Sequence, residues 1–300
     1  MSNDFVPFQD YLKQEVERVN GVYYPVRASF LRRVLVKNAK CKKLHPNPED
    51  EFCFPDIGPN YQIISKYEKE YKRAETCGVV ENGFDGGIND PLIVQKSMPD
   101  GYMLMNGHHR WAAAIRIGKR RVKIKIVNLT QEGDIRAMLQ RSSSDVRVTL
   151  DLDEVVFGAE GDSPLEKPLR FPLDRFYRER LRLGVPALFH FLNERGYDIW
   201  VYTSKYYSME YIRFFFRHWH VRLTGIVTGA GRKAPRGLGG VEAMNRLIEK
   251  KYKTTFHIDR EAVMRVTGGT KECEEVRLNG SASGWAREVM DAIGALTKHE

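Results

Sequence analysis

The spacing of apolar residues between positions 91 and 127 predicts a strand, a second strand, a helix and a third strand. Residues 91–95 and 102–105 are short apolar runs separated by a turn that contains proline and glycine, as in two strands joined by a tight connection. The alanine-rich run at 111–115 has the composition of a buried helix, and residues 122–127 alternate lysine with aliphatic side chains. This alternation predicts a half-buried strand with its lysines in solvent.

A different pattern of apolar runs begins at residue 146. Apolar runs at 146–150, 199–202, 225–228 and 255–258 alternate with helical stretches, which indicates a parallel sheet with helices on its faces. We therefore predict an α/β protein in which a smaller α+β domain precedes a Rossmann-like domain. The predicted segments are an N-terminal extension at 1–40, the smaller domain at 41–130, a polar linker at 131–145 with a possible short helix at 134–140, and the Rossmann-like domain at 146–300.

Composition narrows the class of protein. A chain of 300 residues with 42% hydrophobic residues is long enough for two domains with separate cores. No apolar run approaches the roughly 20 residues that span a bilayer, and the sequence does not begin with an apolar signal segment. We therefore expect a cytoplasmic protein with no membrane part. The net charge of +9 favours polyanionic partners such as nucleotides and nucleic acid.

Candidate catalytic side chains follow the strands of the second domain. Asp151 and Asp153 come directly after the first strand, Thr203 ends the second, Lys233 follows the third and Asp259 ends the fourth. Because the carboxyl ends of parallel strands share one edge of a sheet, where ligands bind, these groups are expected to cluster there. An Asp-x-Asp pair on its own is more often a loop or a capping pattern than a catalytic pair.

Taken in chain order, these residues resemble the haloacid dehalogenase (HAD) superfamily of phosphohydrolases over most of residues 146–300. The resemblance implies that Asp151 is the nucleophile and that Asp153 is the general acid and base. It also implies that Lys233 stabilises negative charge on the phosphoryl oxygens. The Thr203 hydroxyl is suited to hold a phosphate oxygen.

The same resemblance implies a bound Mg²⁺. Its predicted ligands are Asp151, Asp259 and, through a backbone carbonyl, the position of Asp153. This chain departs from the family after Asp259, where a second acidic residue usually stands beside or close after the first and where Arg260 and Glu261 follow here. We expect Glu261 to substitute for that residue or the metal affinity to be weaker.

Only short segments lie where enzymes of this superfamily usually carry a cap domain, at residues 157–180 and 205–221. This shortage predicts an open site that admits the end of a large substrate, unless the first domain serves as a lid. The basic charge favours a phosphorylated nucleic-acid end over a phosphoprotein.

The smaller domain resembles the ParB/sulfiredoxin-like superfamily over residues 43–127. The residues that carry the resemblance are His45-Pro-Asn-Pro48, Asp90-Pro-Leu-Ile-Val94, Asn106-Gly107-His108-His109-Arg110 and the following Trp111-Ala-Ala-Ala114. It implies that the glycine turn and the start of the next helix bind nucleotide phosphates, which free N–H groups and the helix dipole favour. The predicted ligand is ATP or another nucleotide, and its predicted contacts are Asn106, Gly107, His108, His109 and Arg110.

Departures from the pattern exclude two branches of that superfamily. His108 stands where sulfiredoxins carry a reactive cysteine, and no room for a helix-turn-helix domain remains before the second domain. Two branches stay open. One is a small-molecule kinase that resembles free-serine kinases, with Glu49, Asp50 or Glu51 accepting the substrate proton. The other is a nucleotide-sensing or nucleic-acid-processing protein.

Residues 27–37 combine basic and apolar side chains. This pattern fits a nucleic-acid contact, but a helix that packs its apolar stripe on the domain is the favoured interpretation. For the whole chain we predict a phosphohydrolase coupled to a nucleotide-binding domain. The alternatives are a nucleotide-responsive regulatory protein without turnover and a kinase with an accessory HAD domain.

Overall fold

Two units make up the chain, Met1–Asn128 and Leu129–Glu300, and each has a hydrophobic core of its own. The computed structural model describes residues 7–77, 87–158, 164–230, 241–268, 273–280 and 283–297. Within those residues, no helix is both long and apolar enough to cross a membrane.

The first unit is an α+β structure built on one mixed sheet. Its helices are α1 (Phe8–Val19), α2 (Phe30–Val34), α3 (Tyr61–Cys77) and α4 (His108–Arg116). Its strands are β1 (Tyr24–Pro25), β2 (Lys37–Lys40), β3 (Leu44–His45), β4 (Leu92–Met98), β5 (Tyr102–Asn106) and β6 (Arg121–Ile126). The sheet runs in the order β2-β6-β4-β5-β3, and β1 pairs with β4. Strand β6 alternates exposed and buried residues, as the lysine alternation predicted.

The N-terminal segment 1–40 is not separate from this unit in the described residues. Phe8 and Leu12 of α1 belong to the same core as Trp111 of α4, and strand β2 pairs with β6 so that Lys40 lies opposite Arg121. The predicted boundary at residue 40 therefore differs from the structure. Strand β2 has a single buried residue, so hydrophobic periodicity could not reveal it.

The second unit is an α/β structure with a mixed sheet. Its helices are α5 (Glu132–Gln140), α6 (Val185–Glu194), α7 (Met209–His218), α8 (Val241–Lys251) and α9 (Trp285–Thr297). Its strands are β7 (Val146–Asp151), β8 (Asp198–Thr203), β9 (Gly225–Thr228), β10 (Thr254–Ile258), β11 (Ala262–Thr267) and β12 (Cys273–Arg277). The order is β12-β11-β10-β7-β8-β9. Strands β10, β7, β8 and β9 are parallel, as predicted, whereas β11 and β12 add two antiparallel strands at one edge.

The segment predicted as a linker, 131–145, is part of the second unit. It contains helix α5, whose Ile135 and Met138 are buried in the core of that unit. Just before the helix, Thr130 donates a hydrogen bond of 2.9 Å from its hydroxyl to the carbonyl of Ile226 on β9. The possible short helix at 134–140 is thus present as α5. Its packing into the core was not predicted, because the serine run after it is typical of linkers.

Strand β7 occupies the topological switch point of the sheet. The chain continues from β7 to β8 and β9 on one side and returns to β10 on the other. In an open α/β sheet the connections leave a crevice at the carboxyl end of such a strand, and ligands bind there. The fold therefore places the end of β7, where Asp151 lies, at the expected binding site.

Candidate functional site

A π-helical turn follows β7 directly and fixes the carboxylate of Asp151. The turn is Leu152–Val156. Asp151 Oδ1 accepts hydrogen bonds from the backbone N–H groups of Asp153, at 2.6 Å, and of Glu154, at 2.8 Å. These bonds satisfy N–H groups that the start of a helical turn leaves unpaired. Asp151 Oδ2 receives no hydrogen bond from any described residue, so one oxygen is anchored and the other is available for chemistry.

The second carboxylate, Asp153, is held at the end of β8. Its Oδ2 accepts three hydrogen bonds, from Thr203 Oγ1 at 2.8 Å and from the backbone N–H and hydroxyl of Ser204, each at 3.0 Å. Its Oδ1 is buried without a hydrogen-bond partner, and Lys205 Nζ lies 3.6 Å from it. The side chain is thus fixed through one oxygen, and the Lys205 ammonium lies beside the other.

This arrangement changes the predicted role of Thr203. Its hydroxyl donates to Asp153 and accepts from the backbone N–H of Lys205 at 3.1 Å, and the residue is fully buried. Thr203 therefore positions Asp153 rather than holding a phosphate oxygen. The predicted cation Lys233 lies outside the described residues, and Lys205, which the sequence analysis did not select, is the cation found beside Asp153.

Asp151 and Asp259 line one cavity of about 450 Å³, with helix α8 on one side. The strands that lead to these two aspartates also contribute polar side chains nearby. Thr149 Oγ1 lies 2.7 Å from His257 Nδ1, and Arg147 Nε donates to Thr255 Oγ1 at 2.8 Å. Burial and, second, Arg147 lower the pKa of His257, so this ring is neutral at physiological pH.

The donors in this cavity fit Mg²⁺ in part. Two carboxylates, Asp151 and Asp259, offer the hard oxygen ligands that Mg²⁺ prefers, and Mg²⁺ commonly binds to one or two carboxylates together with substrate phosphate and water. The side chain of Asp153, however, is taken up at the end of β8 and does not line the cavity. In the parts of the chain that the structure describes, no three His, Cys, Asp or Glu side chains form a metal-binding group.

A hairpin at residues 164–182 lies between the π-helical turn and α6. Leu165 pairs with Arg182, and Phe157 pairs with Leu181. The hairpin packs on α7 through Tyr177 and Tyr211, whose rings are 5.0 Å apart.

Two tyrosines at the start of α7 bring the hairpin to the site. The Tyr211 hydroxyl donates to Glu179 of the hairpin, and Tyr207 stacks on Tyr211 with ring centroids 5.6 Å apart. Burial and, next, the nearby charge of Glu179 raise the pKa of Tyr207, and Asp153 adds to this shift. Tyr207 thus stays a neutral hydroxyl beside Asp153. The sequence analysis missed it because Tyr207 precedes the helical periodicity of α7.

The predicted phosphate cradle of the first unit is a tight strand-to-helix turn. Gly107 has φ of +95°, which disfavours any residue with a Cβ. A Cβ there would also lie 2.5 Å from Leu92 Cδ2. Glycine is therefore required on two grounds, and the turn directs the first N–H groups of α4 away from the helix.

Two histidines at the start of α4 are held by a loop that precedes α3. His109 Nε2 accepts from the backbone N–H of Asn60 at 3.1 Å, and Phe52 stacks on His108 with ring centroids 5.4 Å apart. Burial lowers the pKa of His108 to about 4, against the opposing effect of Asp50, whose Oδ1 is 3.6 Å from Nδ1. Both rings are neutral near pH 7, so they act as packing groups and acceptors and not as cations.

Comparison with known proteins found a similarity in the first half of the chain. The family model of the ParB N-terminal domain matches residues 74–143. The first half of the chain contains a ParB-like region.

A solved structure is also similar to this chain, the C-terminally truncated chromosome-partitioning protein ParB from Caulobacter crescentus complexed with CTP-gamma-S. The identity is 22%, the TM-score is 0.24, and the match covers 37% of this chain and 56% of that chain. The chain thus spans little more than half of the ParB structure that it matches, and a TM-score this low supports no argument about shape. No curated protein matches the chain.

Within the ParB-like region, the structure assigns Arg110 a different place from the predicted one. Its side chain is buried, and its guanidinium donates to the carbonyls of Gly87, at 3.2 Å, and Asp90, at 2.9 Å. Arg110 therefore fastens the segment before β4 to the start of α4. The predicted phosphate contacts that remain at the turn are the exposed Asn106 and the backbone N–H groups.

Asp50, one of the acidic residues considered for a kinase, also has a local role in the first unit. Asp50 accepts from the backbone N–H of Phe52 at 3.0 Å and faces His108. The structure thus brings the loop 45–53 to the start of α4.

Proposed function

We propose that the second unit is a Mg²⁺-dependent phosphohydrolase of HAD type in which Asp151 is the nucleophile. The observation that carries this proposal is the state of Asp151 at the switch point of the sheet. One of its oxygens is anchored by two backbone N–H groups, and the other is without a partner in the described residues. A nucleophile needs this combination of fixed orientation and an available lone pair.

Asp153 supplies the proton transfers. Asp151 Oδ2 attacks phosphorus while the bond to the leaving oxygen breaks, and protonated Asp153 gives its proton to that oxygen. The deprotonated Asp153 then takes a proton from water, whose oxygen attacks the aspartyl phosphate. The bond between Asp151 and phosphorus breaks, which releases inorganic phosphate and restores both side chains.

Asp151 and Asp259 would hold Mg²⁺, which supplies charge neutralisation between the carboxylate nucleophile and the anionic phosphoryl group. Lys205 adds a positive charge on the other side, next to Asp153. Lys233 remains a proposed contributor. The substrate we favour is a phosphorylated nucleic-acid end.

We assign nucleotide binding to the ParB-like region as a second function. Support comes from the family match over residues 74–143 and from the Gly107 turn, which presents N–H groups at a helix N-terminus. The related ParB structure was obtained with CTP-gamma-S, so CTP joins ATP among the nucleotides to be tested. Calorimetry in which CTP, ATP and GTP all fail to bind the full chain would remove this assignment.

The phosphohydrolase is tested by phosphate release from phosphorylated oligonucleotides, nucleotides, sugar phosphates and phosphoserine, with and without Mg²⁺. Asp151→Asn keeps an Oδ1 acceptor for the two N–H groups, so we expect the fold to persist and the release to disappear. Asp291→Asn, the same change on the exposed side of α9, is the matched control and should behave as the unchanged protein. Wild-type turnover by Asp151→Asn would show that the nucleophile is wrong.

A further inference from the structure

Residues 30–36 form an exposed apolar patch in the first unit. Phe30 is 57% exposed, Leu31 73%, Leu35 59% and Val36 55%. The favoured interpretation of this segment, a helix packing its apolar stripe on the domain, is therefore wrong. Helix α2 has five residues and none of them is buried. The nucleic-acid interpretation of the same segment stays a prediction.

A row of cations lies on the exposed side of the neighbouring strands. In the register of β2 and β6, Lys40 is opposite Arg121 and Asn38 is opposite Lys123. Lys40, Arg121, Lys123 and Lys125 are all exposed and share this side of the sheet. We call these four residues the cationic strip. Successive members along β6 are about 6.6 Å apart, since a strand rises about 3.3 Å per residue.

One end of the strip opens into a further basic surface. Lys40 and Arg121 line a cavity of about 920 Å³ together with Lys42, Lys119 and Arg120. The acidic side chain on its wall is Glu15, and Arg18 on the same wall neutralises it through a contact of 2.7 Å.

The other end of the strip leads to the apolar patch. Helix α2 lies against β6, and the side chain of Asn128, just after β6, holds the backbone of Ala28 through two hydrogen bonds of 2.9 and 3.1 Å. Arg33 lies 6.0 Å from the centre of the Phe30 ring. An exposed aromatic ring, with a guanidinium beside it, therefore stands at the end of a line of cations.

We propose that the cationic strip and the apolar patch together bind single-stranded nucleic acid. Cations at regular intervals on flexible side chains suit a phosphodiester backbone and carry no base specificity. The exposed Phe30 ring supplies a face on which an unpaired base stacks, which a duplex cannot use. The surface differs from the Gly107 turn and from the cavity at Asp151, and the proposal does not depend on hydrolysis.

The length of the basic surface favours a polymer over a small anion. The strip and the basic cavity provide six exposed cations along one side of the unit: Lys40, Lys42, Arg120, Arg121, Lys123 and Lys125. Lys119 lies beside them but is paired with Glu75 at 2.9 Å. None of them is buried as a fixed ligand for one phosphate would be. A protein partner or an anionic membrane would also contact the apolar patch, but neither requires the cations to follow the strands in register.

The test is fluorescence anisotropy of a labelled oligothymidine without terminal phosphates, bound to the full chain at low and moderate salt. Lys123→Glu combined with Lys125→Glu should weaken binding at least about tenfold and flatten the dependence of affinity on salt, since each lost phosphate contact removes about 0.7 from the slope. Lys69→Glu combined with Lys72→Glu, on the exposed side of α3, makes the same change of charge and should leave affinity unchanged.

Phe30→Ser separates single-strand binding from charge alone. We expect a loss of about 5- to 150-fold for the oligothymidine, the range for one stacked base, and no loss for a duplex of equal length. Unchanged oligothymidine affinity in the Lys123 and Lys125 variant would overturn the proposal. So would dimerisation, or binding to phosphatidylserine vesicles, that Phe30→Ser abolishes while oligothymidine binding persists.

Discussion

Thr203 is the residue through which the proposed general acid is positioned. Thr203→Val removes the hydroxyl that donates to Asp153 and leaves a buried acceptor with fewer partners. We expect kcat to fall by about 10- to 100-fold, within the roughly 10²- to 10⁴-fold that general acid–base catalysis provides. KM should change little, since Thr203 is buried away from substrate. Thr203→Ser keeps the hydroxyl and should restore most of kcat.

Thr228 offers the matched control on the next strand. It is also a buried threonine at the end of a strand, and its hydroxyl accepts from the backbone N–H of Thr130 at 3.0 Å. Both valine variants should lose about 1 to 3 kcal/mol of stability, the cost of leaving a buried polar group unpaired. Equal losses of kcat in the two variants would show that Thr203 acts only on stability.

His108 links the stability of the first unit to pH. Its pKa in the folded protein is about 4, because burial disfavours the cation, whereas the unfolded chain has the ordinary value near 6.5. The unfolded state therefore takes up the proton first. The stabilisation from neutral His108 is complete above pH 6.5 and is lost as pH falls from 6.5 towards 4.

The expected loss between pH 7 and pH 5 is about 2 kcal/mol, at 1.36 kcal/mol for each unit of pKa difference. Hydrogen exchange of the α4 backbone amides measures it. His108→Gln cannot be protonated and should show a smaller change over the same range, although it starts from a lower stability. Parallel pH profiles for the two proteins would argue against a buried neutral His108.

At the scale of elements, the glycine turn before α4 decides whether the proposed cradle forms. Gly107→Ala places a Cβ 2.5 Å from Leu92 and at a φ of +95°. Gly118→Ala, after the same helix, also has positive φ, at +74°, but its Cβ would meet nothing within 4 Å. Both substitutions should lower the free energy of unfolding by about 1 to 2 kcal/mol, because alanine disfavours the left-handed backbone. Only Gly107→Ala should also lose nucleotide binding in calorimetry. Equal nucleotide affinity in both variants would exclude the turn as a cradle.

The periodicity of apolar residues predicted the elements that are half-buried or fully buried. It did not predict elements that pack on the core through only a few residues. The strands that end in Asp151, Thr203 and the run before Asp259 were found because aliphatic runs of that length are typical of a central parallel sheet. Strand β2 and the packing of helix α5 were missed because each element buries only one or two residues. The apolar residues 30–36 were expected to pack, since composition cannot distinguish a buried stripe from an exposed contact surface.

For the site residues, too, the sequence predicted some features and not others. The sequence placed Asp151, Asp153 and Thr203 at adjoining strand ends, because the β-α-β rhythm fixes which ends meet. It could not show that Thr203 serves Asp153, that Arg110 points to the carbonyls of Gly87 and Asp90, or that a π-helical turn follows β7. Those facts depend on side-chain direction and on local hydrogen bonds, which motif spacing does not contain.

At the scale of the whole molecule, two features favour a large substrate: the basic net charge and the short segments around Asp151. Between β7 and α6 the described residues form only the π-helical turn, the hairpin at 164–182 and a short 3-10 turn, Leu173–Arg175, within it. Such segments are too small to enclose a metabolite as a cap domain does. We therefore expect the full chain to prefer a 5′- or 3′-phosphorylated oligonucleotide over the matching mononucleotide.

The measurement is kcat/KM for the two substrates at low and moderate salt. A net charge of +9 attracts the polyanionic oligonucleotide more than the mononucleotide, and salt screens that attraction. The oligonucleotide should therefore have the higher kcat/KM at low salt, and its advantage should shrink as salt rises. An advantage that is independent of salt would point to contacts with bases near Asp151 instead. Equal values, or a preference for the mononucleotide, would reject the open site and indicate a small-molecule phosphatase whose site is closed during turnover.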